Sequence, residues 1–242
     1  MKALIEAHDK VVLQLSGGKD SLACLHLAKP WWDKITVMWT NTGDAFPETV
    51  EQMAAIKAMV PNFLEVRTDQ PTQIRENGWP SDMIPVRVTQ FGRLIAPDED
   101  GPVIQGYPIC CGANIWIPMF EATVKLGATL VIRGTRKSDG RRAAKSDTEV
   151  ICGVTYHCPI WDWTPEEVFA HLDYHGLLPA HYSETETSLD CMHCTAYLDE
   201  NAKKMRFIER KYPAVSAEIQ ERLRAMRDMV LPELAHIERA VI

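Results

Sequence analysis

Short apolar runs separated by helical periods open the chain. Residues 10–15 (KVVLQL), 34–39 (KITVMW) and 63–67 (FLEVR) are bounded by polar breaks and read as strands. Residues 20–28 and 47–59 between them read as helices, the second with Pro47 at its start, where a missing N–H does no harm. Strand and helix repeating at this interval predict a parallel α/β sheet. Residues 70–109 are rich in Pro, Gly and charge without a clear period, and read as a long excursion, a lid or a hairpin. A helix over 113–126, a strand over 129–133 and a strand or hairpin over 150–156 follow. The helix over 164–174 has strong local logic: Thr164 as N-cap, Pro165 at the first position, and Glu167 completing a capping box. Two basic amphipathic helices, 201–212 and 214–238, close the chain. With no repeat and no low-complexity linker, the expected organisation is one α/β domain over residues 1–196 and a helical C-terminal extension over 197–242.

Composition narrows the class. A chain of 242 residues, 46% apolar and 24% charged, suits a soluble globular protein with one sizeable core. No apolar run approaches the ~20 residues of a membrane span. The opening MKALIEAHDKVV has charge where a signal peptide needs an apolar centre, so a cytoplasmic location without a membrane partner is expected. A net charge of −7 argues against nonspecific coating of nucleic acid. The local exception is RGTRKSDGRRAAK, Arg133 to Lys145, with six basic residues and one acid.

The stretch SGGKDS, Ser16 to Ser21, ends the first strand and opens the first helix of the α/β pattern. Glycines let backbone pass close to phosphate oxygens, and a helix N-terminus presents unpaired N–H groups and the positive end of a dipole. Ser16, Lys19 and Ser21 add hydroxyls and a cation. The spacing is not that of a Walker P-loop. The bland alternative is a strand-to-helix turn with glycines for tight packing. In its strand–helix context the segment resembles the PP-loop of the ATP pyrophosphatase superfamily, whose members bind ATP and usually cleave it between the α- and β-phosphates. The resemblance implies an adenine nucleotide alpha-hydrolase-like, Rossmann-like α/β fold. It implies that Ser16, Gly17, Gly18, Lys19, Asp20 and Ser21 bind phosphate, with Asp20 also a Mg²⁺ contact. Cys24, one turn further on, reads as a small buried core residue.

Three further segments resemble the sulfonucleotide reductases, the phosphoadenylyl- and adenylyl-sulfate reductase family. These are NTGDAFPET (Asn41 to Thr49), PIWDWTPEEVFAHLDYHGLLPAHY (Pro159 to Tyr182) and SLDCMHCT (Ser188 to Thr195). The likeness runs from about residue 10 to 196, and it adds Asn41, Thr42 and Gly43 as nucleotide contacts, with Asn41 in place of the family aspartate. The basic segment occupies the place of a family loop whose arginines clamp anionic groups, one residue shorter here. Gly134, Arg136 and Arg142 carry over, with Lys137 standing for an arginine. An arginine fork suits bidentate phosphate contact, whereas lysine is a point charge. A solvated basic loop is the plain alternative.

Seven cysteines in a reducing compartment are not expected to form a disulfide framework. Cys110-Cys111 and Cys191-x-x-Cys194 resemble the adenylyl-sulfate reductase pattern that holds a [4Fe–4S] cluster. A cubane takes one thiolate per iron, and adjacent cysteines reach two irons more easily than two corners of one zinc. A structural Cys₄ zinc site and four unligated thiols remain open beside it. His193 reads as a neighbour rather than a ligand, and Cys152 and Cys158 as strand residues.

The chain departs from the reductases in two ways. Their E-C-G-[IL]-H segment, whose cysteine attacks the sulfate sulfur, has no counterpart in this sequence, which has no cysteine after Cys194. The loop is also a complete SGGKDS, the form of members that process ATP. The expected function is therefore an ATP pyrophosphatase carrying a [4Fe–4S] cluster and using Mg²⁺. Lys19, Asp20, Arg136 and Arg142 would stabilise charge while an acceptor oxygen displaces pyrophosphate. Cluster-bearing relatives place such activation in sulfur transfer onto nucleic acid. A sulfur donor or thioredoxin-like protein and a nucleic-acid acceptor are the expected partners, the latter facing the basic C-terminal helices unless these are only a solvated face. Two alternatives stand: a sulfonucleotide reductase whose thiol comes from another chain, and a non-catalytic nucleotide-binding redox sensor.

Overall fold

The computed structural model describes residues 1–97, 100–142, 144–185, 187–200 and 202–241, with no account of the side chains of 140–142 and 202. In chain order the elements are α1 (Lys2–Ala7), β1 (Val11–Gln14), α2 (Lys19–Leu27), β2 (Ile35–Asn41), α3 (Pro47–Met59), β3 (Phe63–Arg67), α4 (Gln70–Asn77), β4 (Trp79–Ser81), α5 (Gln90–Ile95), β5 (Ile104–Gly106), α6 (Tyr107–Cys111), α7 (Ile117–Lys125), β6 (Leu130–Ile132), β7 (Thr148–Ile151), β8 (Val154–His157), α8 (Pro165–Tyr174), α9 (Tyr182–Thr185), α10 (Ala202–Lys211) and α11 (Pro213–Ala240). They form two compact units. The first takes Met1–Asn41, Ala45–Arg67 and Ile117–Asp190; the second takes Thr42–Asp44, Thr68–Trp116 and Cys191–Ile242.

The first unit is a six-stranded sheet in the order β3-β2-β1-β6-β8-β7, parallel except for β7. Its central strands β1 and β6 are apolar at every position but Gln14, because both faces are covered. Alternation still sorts the side chains. Val11, Leu13, Ile35, Val37, Leu130 and Ile132 enter one core with Leu22 and Leu25 of α2 and Val168 of α8. Val12, Met38 and Val131 enter the other, against Met119 and Ala122 of α7. This is the parallel α/β sheet flanked by helices that the pattern predicts. The predicted caps of α8 are present: Thr164 Oγ1 accepts from the Glu167 N–H and Glu167 Oε2 accepts from the Thr164 N–H. The ambiguous 150–156 segment is a hairpin, β7–β8. Cys152 lies in its turn rather than in a strand, with φ +50° beside Gly153 at +79°, the paired positive φ values of a type I′ connection. Cys158 directly follows β8 and is buried.

The second unit corrects the reading of 70–109 as a patternless excursion. It contains α4, α5 and a two-stranded parallel sheet, β4–β5. Asp69 caps α4 by accepting from the Thr72 N–H, and Thr89 caps α5 by accepting from the Gly92 N–H. The helical stretch expected from 113 begins earlier, with α6, and passes through a π turn at Gly112–Trp116 directly after Cys110-Cys111. Such bulges frequently mark functional positions. Helices α10 and α11 complete this unit. No helix among the described residues is long and apolar enough to cross a membrane.

Candidate functional site

In the first unit, β1 lies between β2 on one side and β6 on the other, so successive strands depart in opposite directions from its edge. Open α/β sheets form a crevice at the carboxyl ends of such strands. A cavity of about 490 Å³ occupies that place, lined by Gln14 to Ser16 and Gly18 to Ser21 after β1, by Arg133 to Thr135 after β6, and by Tyr182, Thr187 and Ser188. Two glycines are required by the space. Gly17 adopts φ +87° with a Cβ position only 2.8 Å from Met53 Cε, and Gly134 packs so closely on the loop that a Cβ would lie 2.6 Å from the Asp20 carbonyl carbon and the Ser21 nitrogen.

The loop is held by its own hydroxyls. The Ser16 hydroxyl, 3.1 Å from Ser21 Oγ, accepts from the Gly18 N–H, while Ser21 Oγ donates to the Gly18 carbonyl at 2.9 Å. The Lys19 N–H donates to the Tyr182 hydroxyl at 2.7 Å, and burial pushes the Tyr182 phenol up. Charge at the cavity is paired within the protein. Asp20 Oδ2 is 2.6 Å from Lys19 Nζ, and Asp20 Oδ1 is 2.9 Å from Arg136 Nε. Arg136 is 8% exposed and also pairs with Asp139 at 2.8 Å. Its Nε contact to Asp20 falls short of hydrogen-bond alignment, and its buried Nη1 has no hydrogen-bond partner among the described residues. The buried Thr187 hydroxyl is likewise unpartnered there. Orphaned donors of this kind are costly unless something polar meets them.

The predicted loop residues 16–21 and Gly134 are therefore brought together, with Arg136 paired to Asp20 behind them. Lys137 is exposed, its backbone N–H bonded to the Trp161 carbonyl. The Arg142 side chain lies outside the described residues. Asn41 donates to Glu65 Oε1 at 2.8 Å, and Thr42 and Gly43 belong to the second unit rather than to the cavity's own. Tyr182 and Ser188 sit at the ends of two segments singled out from sequence, yet their approach to the loop depends on the fold, as does that of Thr135 and Thr187.

All four cysteines expected to act as ligands fall in the second unit. Cys110 is 1% exposed, and burial pushes its thiol up. Gln70 Nε2 and Asn114 Nδ2 approach its sulfur at 3.3 and 3.8 Å. The Thr42 hydroxyl lies 3.7 Å from Cys191 Sγ and the Tyr197 hydroxyl 3.8 Å from Cys111 Sγ. His193 is bonded to Asp44 through its backbone N–H at 2.9 Å and its ring Nδ1 at 2.6 Å, and this bond raises its pKa. Sequence reasoning missed Gln70, Asn114 and Asp44; only Asp44 lay in a quoted motif. Cys24 is the buried core residue expected, its thiol pushed up by burial. Among the basic residues of α10 and α11, Lys204 is buried, Arg222 pairs with Glu218 and stacks on Trp79, and Arg227 pairs with Asp228.

A doubly covered, mostly parallel sheet with a glycine loop at its switch point is the architecture of the doubly wound α/β proteins. Residues 10–197 match the phosphoadenosine phosphosulfate reductase domain, and the chain belongs to that family. It is 29% identical over 177 residues to a protein named phosphoadenosine 5'-phosphosulfate reductase from Yersinia enterocolitica (serotype O:8 / biotype 1B), and 29% identical to the one from Serratia proteamaculans. Each match covers 72% of this chain and 66% of the relative, so the chain spans just under two thirds of those proteins. The fold is shared with a phosphoadenylyl-sulfate reductase from Candida auris in a phosphate complex, at TM-score 0.54 and 17% identity over 76% of this chain and 81% of that one.

Proposed function

We propose that this chain binds an adenine nucleotide at residues 16–21 and Gly134 and catalyses ATP pyrophosphatase chemistry. The observation that carries this reading is the cavity at the β1–β6 switch point, lined by Ser16 and Gly18 to Ser21 of the SGGKDS loop. In the proposed step an acceptor oxygen bonds to the α-phosphorus, giving an adenylated acceptor from which sulfur of the donor, or water in its absence, later displaces AMP. The bond from that phosphorus to the oxygen bridging to the β-phosphate breaks, and pyrophosphate leaves with the electron pair. Lys19 and the loop amides stabilise charge on the leaving group; Arg136 and Arg142 stabilise the rest; Asp20 would hold Mg²⁺. Lys19 and Arg136 are already paired with Asp20. Binding therefore exchanges one anionic partner for another rather than filling a bare positive site. Asn41 and Lys137 complete the nucleotide contacts in this proposal, within a family domain over 1–196 that 197–242 extends.

The four thiols suit a [4Fe–4S] cluster. They lie in one compact unit, and the side-chain amides at Cys110 are donors placed to meet a thiolate. Cys110, Cys111, Cys191 and Cys194 would each supply one ligand. The context we favour is activation of an oxygen for replacement by sulfur on a nucleic acid, with a sulfur donor or thioredoxin-like partner.

A second reading, sulfonucleotide reduction with a thiol supplied by another chain, is favoured by the name borne by the relatives. One assay separates the two. Anaerobically purified protein with ATP and Mg²⁺, offered candidate acceptors, is expected to form AMP and pyrophosphate. Formation of ADP and phosphate would refute the main proposal. Sulfite release from adenylyl or phosphoadenylyl sulfate in the presence of thioredoxin, without AMP from ATP, would establish the second.

A further inference from the structure

A second cluster of chemistry-bearing side chains lies in the first unit, apart from the residues of the cavity. His171 and His175 are four residues apart on α8 and its C-cap, so they share one face. His26, in the last turn of α2, meets them. Its Nδ1 is 3.0 Å from His171 Nε2, and its ring centroid is 4.2 Å from that of His175. One ring nitrogen from each of the three lies within 4.8 Å of the others, and among the described residues no other set of three His, Cys, Asp or Glu side chains is grouped this way.

We propose that His26, His171 and His175 form a binding site for a divalent first-row transition ion, Zn²⁺ being the reference occupant. Three observations select this chemistry. The donors are all imidazoles, which suit zinc, copper, nickel and cobalt and are poor ligands for Mg²⁺ or Ca²⁺. The site sits where α2 and α8 both end, and the negative ends of two helix dipoles favour a cation there. Three protein nitrogens leave a fourth tetrahedral position open, and His26 also lines a cavity of about 530 Å³ with Leu25, Trp32 and Leu178. Trp163 packs edge-on against His171 at 5.1 Å and limits that ring's rotation. One nearby charge works against the ion: Lys29, which lies two residues past the end of α2.

An ion here ties the end of α2 to the end of α8. Helix α2 begins at Lys19, so the staple would brace the helix that carries the glycine loop. The inference does not depend on what that loop binds. Without an ion, the same three rings would be a packed cluster sharing one proton between His26 and His171.

The experiment uses the full chain, free of any histidine tag, titrated anaerobically with Co²⁺. Cobalt on thiolates gives an intense sulfur-to-metal charge-transfer band; cobalt on imidazoles gives only weak visible bands, so the two kinds of site are read separately. We expect one equivalent of the imidazole type, retained in Cys191→Ser. It should weaken about 10- to 100-fold or more in His171→Gln and in His175→Gln, at least the loss that follows removal of a mere outer-shell partner. Zn²⁺ should raise the melting temperature of Cys191→Ser more than that of the double variant Cys191→Ser with His175→Gln. His175 is exposed, so that variant decides the matter if His171→Gln fails to fold. Absence of an imidazole-type equivalent in the parent, or its persistence at full affinity in His175→Gln, would overturn the site.

Discussion

The cavity unit and the thiol unit solve opposite electrostatic problems. In the first, the groups suited to an anion are cations already neutralised by the protein: Asp20 contacts both Lys19 and Arg136, and Asp139 holds Arg136 from the other side. In the second, the groups suited to metal are thiols with amide and hydroxyl neighbours, and burial pushes the Cys110 thiol up. A prepaired cation stays charged whether or not a ligand is present and can exchange partners quickly. A buried thiol gains its charge only when a metal displaces the proton, so metal uptake is coupled to pH and to assembly. The contrast predicts that nucleotide use fails by losing a cation and metal retention fails by losing a ligand, each without the other.

The largest expected effect comes from Lys19→Ala. It removes the ammonium nearest the loop and leaves Asp20 with Arg136 alone. Nucleotide turnover should fall by about 10²–10³-fold, the scale of losing one preorganised donor to developing charge, with iron content unchanged. Turnover within a factor of a few of the parent would place the phosphates elsewhere. Next in size is Cys191→Ser. A hydroxyl is a poor ligand for iron, so iron, acid-labile sulfide and visible absorbance should drop together, while nucleotide affinity holds. Loss of nucleotide binding in that variant would show that the two functions are not separable as the contrast requires.

These two positions also show what was legible in the sequence and what was not. The strands of the first unit follow from local apolar runs, and the loop from adjacent residues in a strand–helix context. Both are short-range signals. The thiol pairs were legible because cysteine is rare and its spacing stands out. Residues 70–109 were opaque for physical reasons. Strands β4 and β5 are three residues each and pair across more than twenty positions of chain, so neither has a period of its own. Helix α4 is short and polar, and its start rests on Asp69 and Pro71, a capping signal that went unread amid other prolines. Gln70 and Asn114 reach Cys110 only through that hidden structure. His171 and His175 are an evident i, i+4 pair, but their third partner lies 145 positions earlier, a distance no local pattern spans.

A smaller effect tests how tightly the loop is built. Gly134→Ala puts a methyl group 2.6 Å from the backbone of Asp20 and Ser21, and backbone on both sides leaves little room to yield. Overpacking of this kind costs about 1–3 kcal/mol, measurable as a lower urea midpoint. If Gly134 shapes the loop, nucleotide affinity should fall in the same variant while iron stays. An unchanged midpoint with unchanged affinity would mean that the loop after β6 stands further off than its packing indicates.

The smallest effect concerns His157, the last residue of β8. It is 7% exposed, its Nδ1 is 2.9 Å from Thr148 Oγ1, and its buried Nε2 has no hydrogen-bond partner among the described residues. Burial lowers its pKa below the ordinary 6.5, assisted by the amino group of Met1 and offset in part by Asp147. The folded state therefore binds this proton less readily than the unfolded chain. Stability from the neutral ring is complete above the ordinary value and is lost as pH falls below it toward the lowered folded value. Urea denaturation followed from pH 7.5 down to 5 should show this loss in the parent. In His157→Gln, which keeps a polar group opposite Thr148, the slope should be shallower. His26 and His171 are shifted in the same direction, so the slope is reduced rather than abolished. An identical slope in the variant would mean that the ring is hydrated in solution. The sheet edge at β7–β8 would then be a looser part of the first unit than its burial indicates.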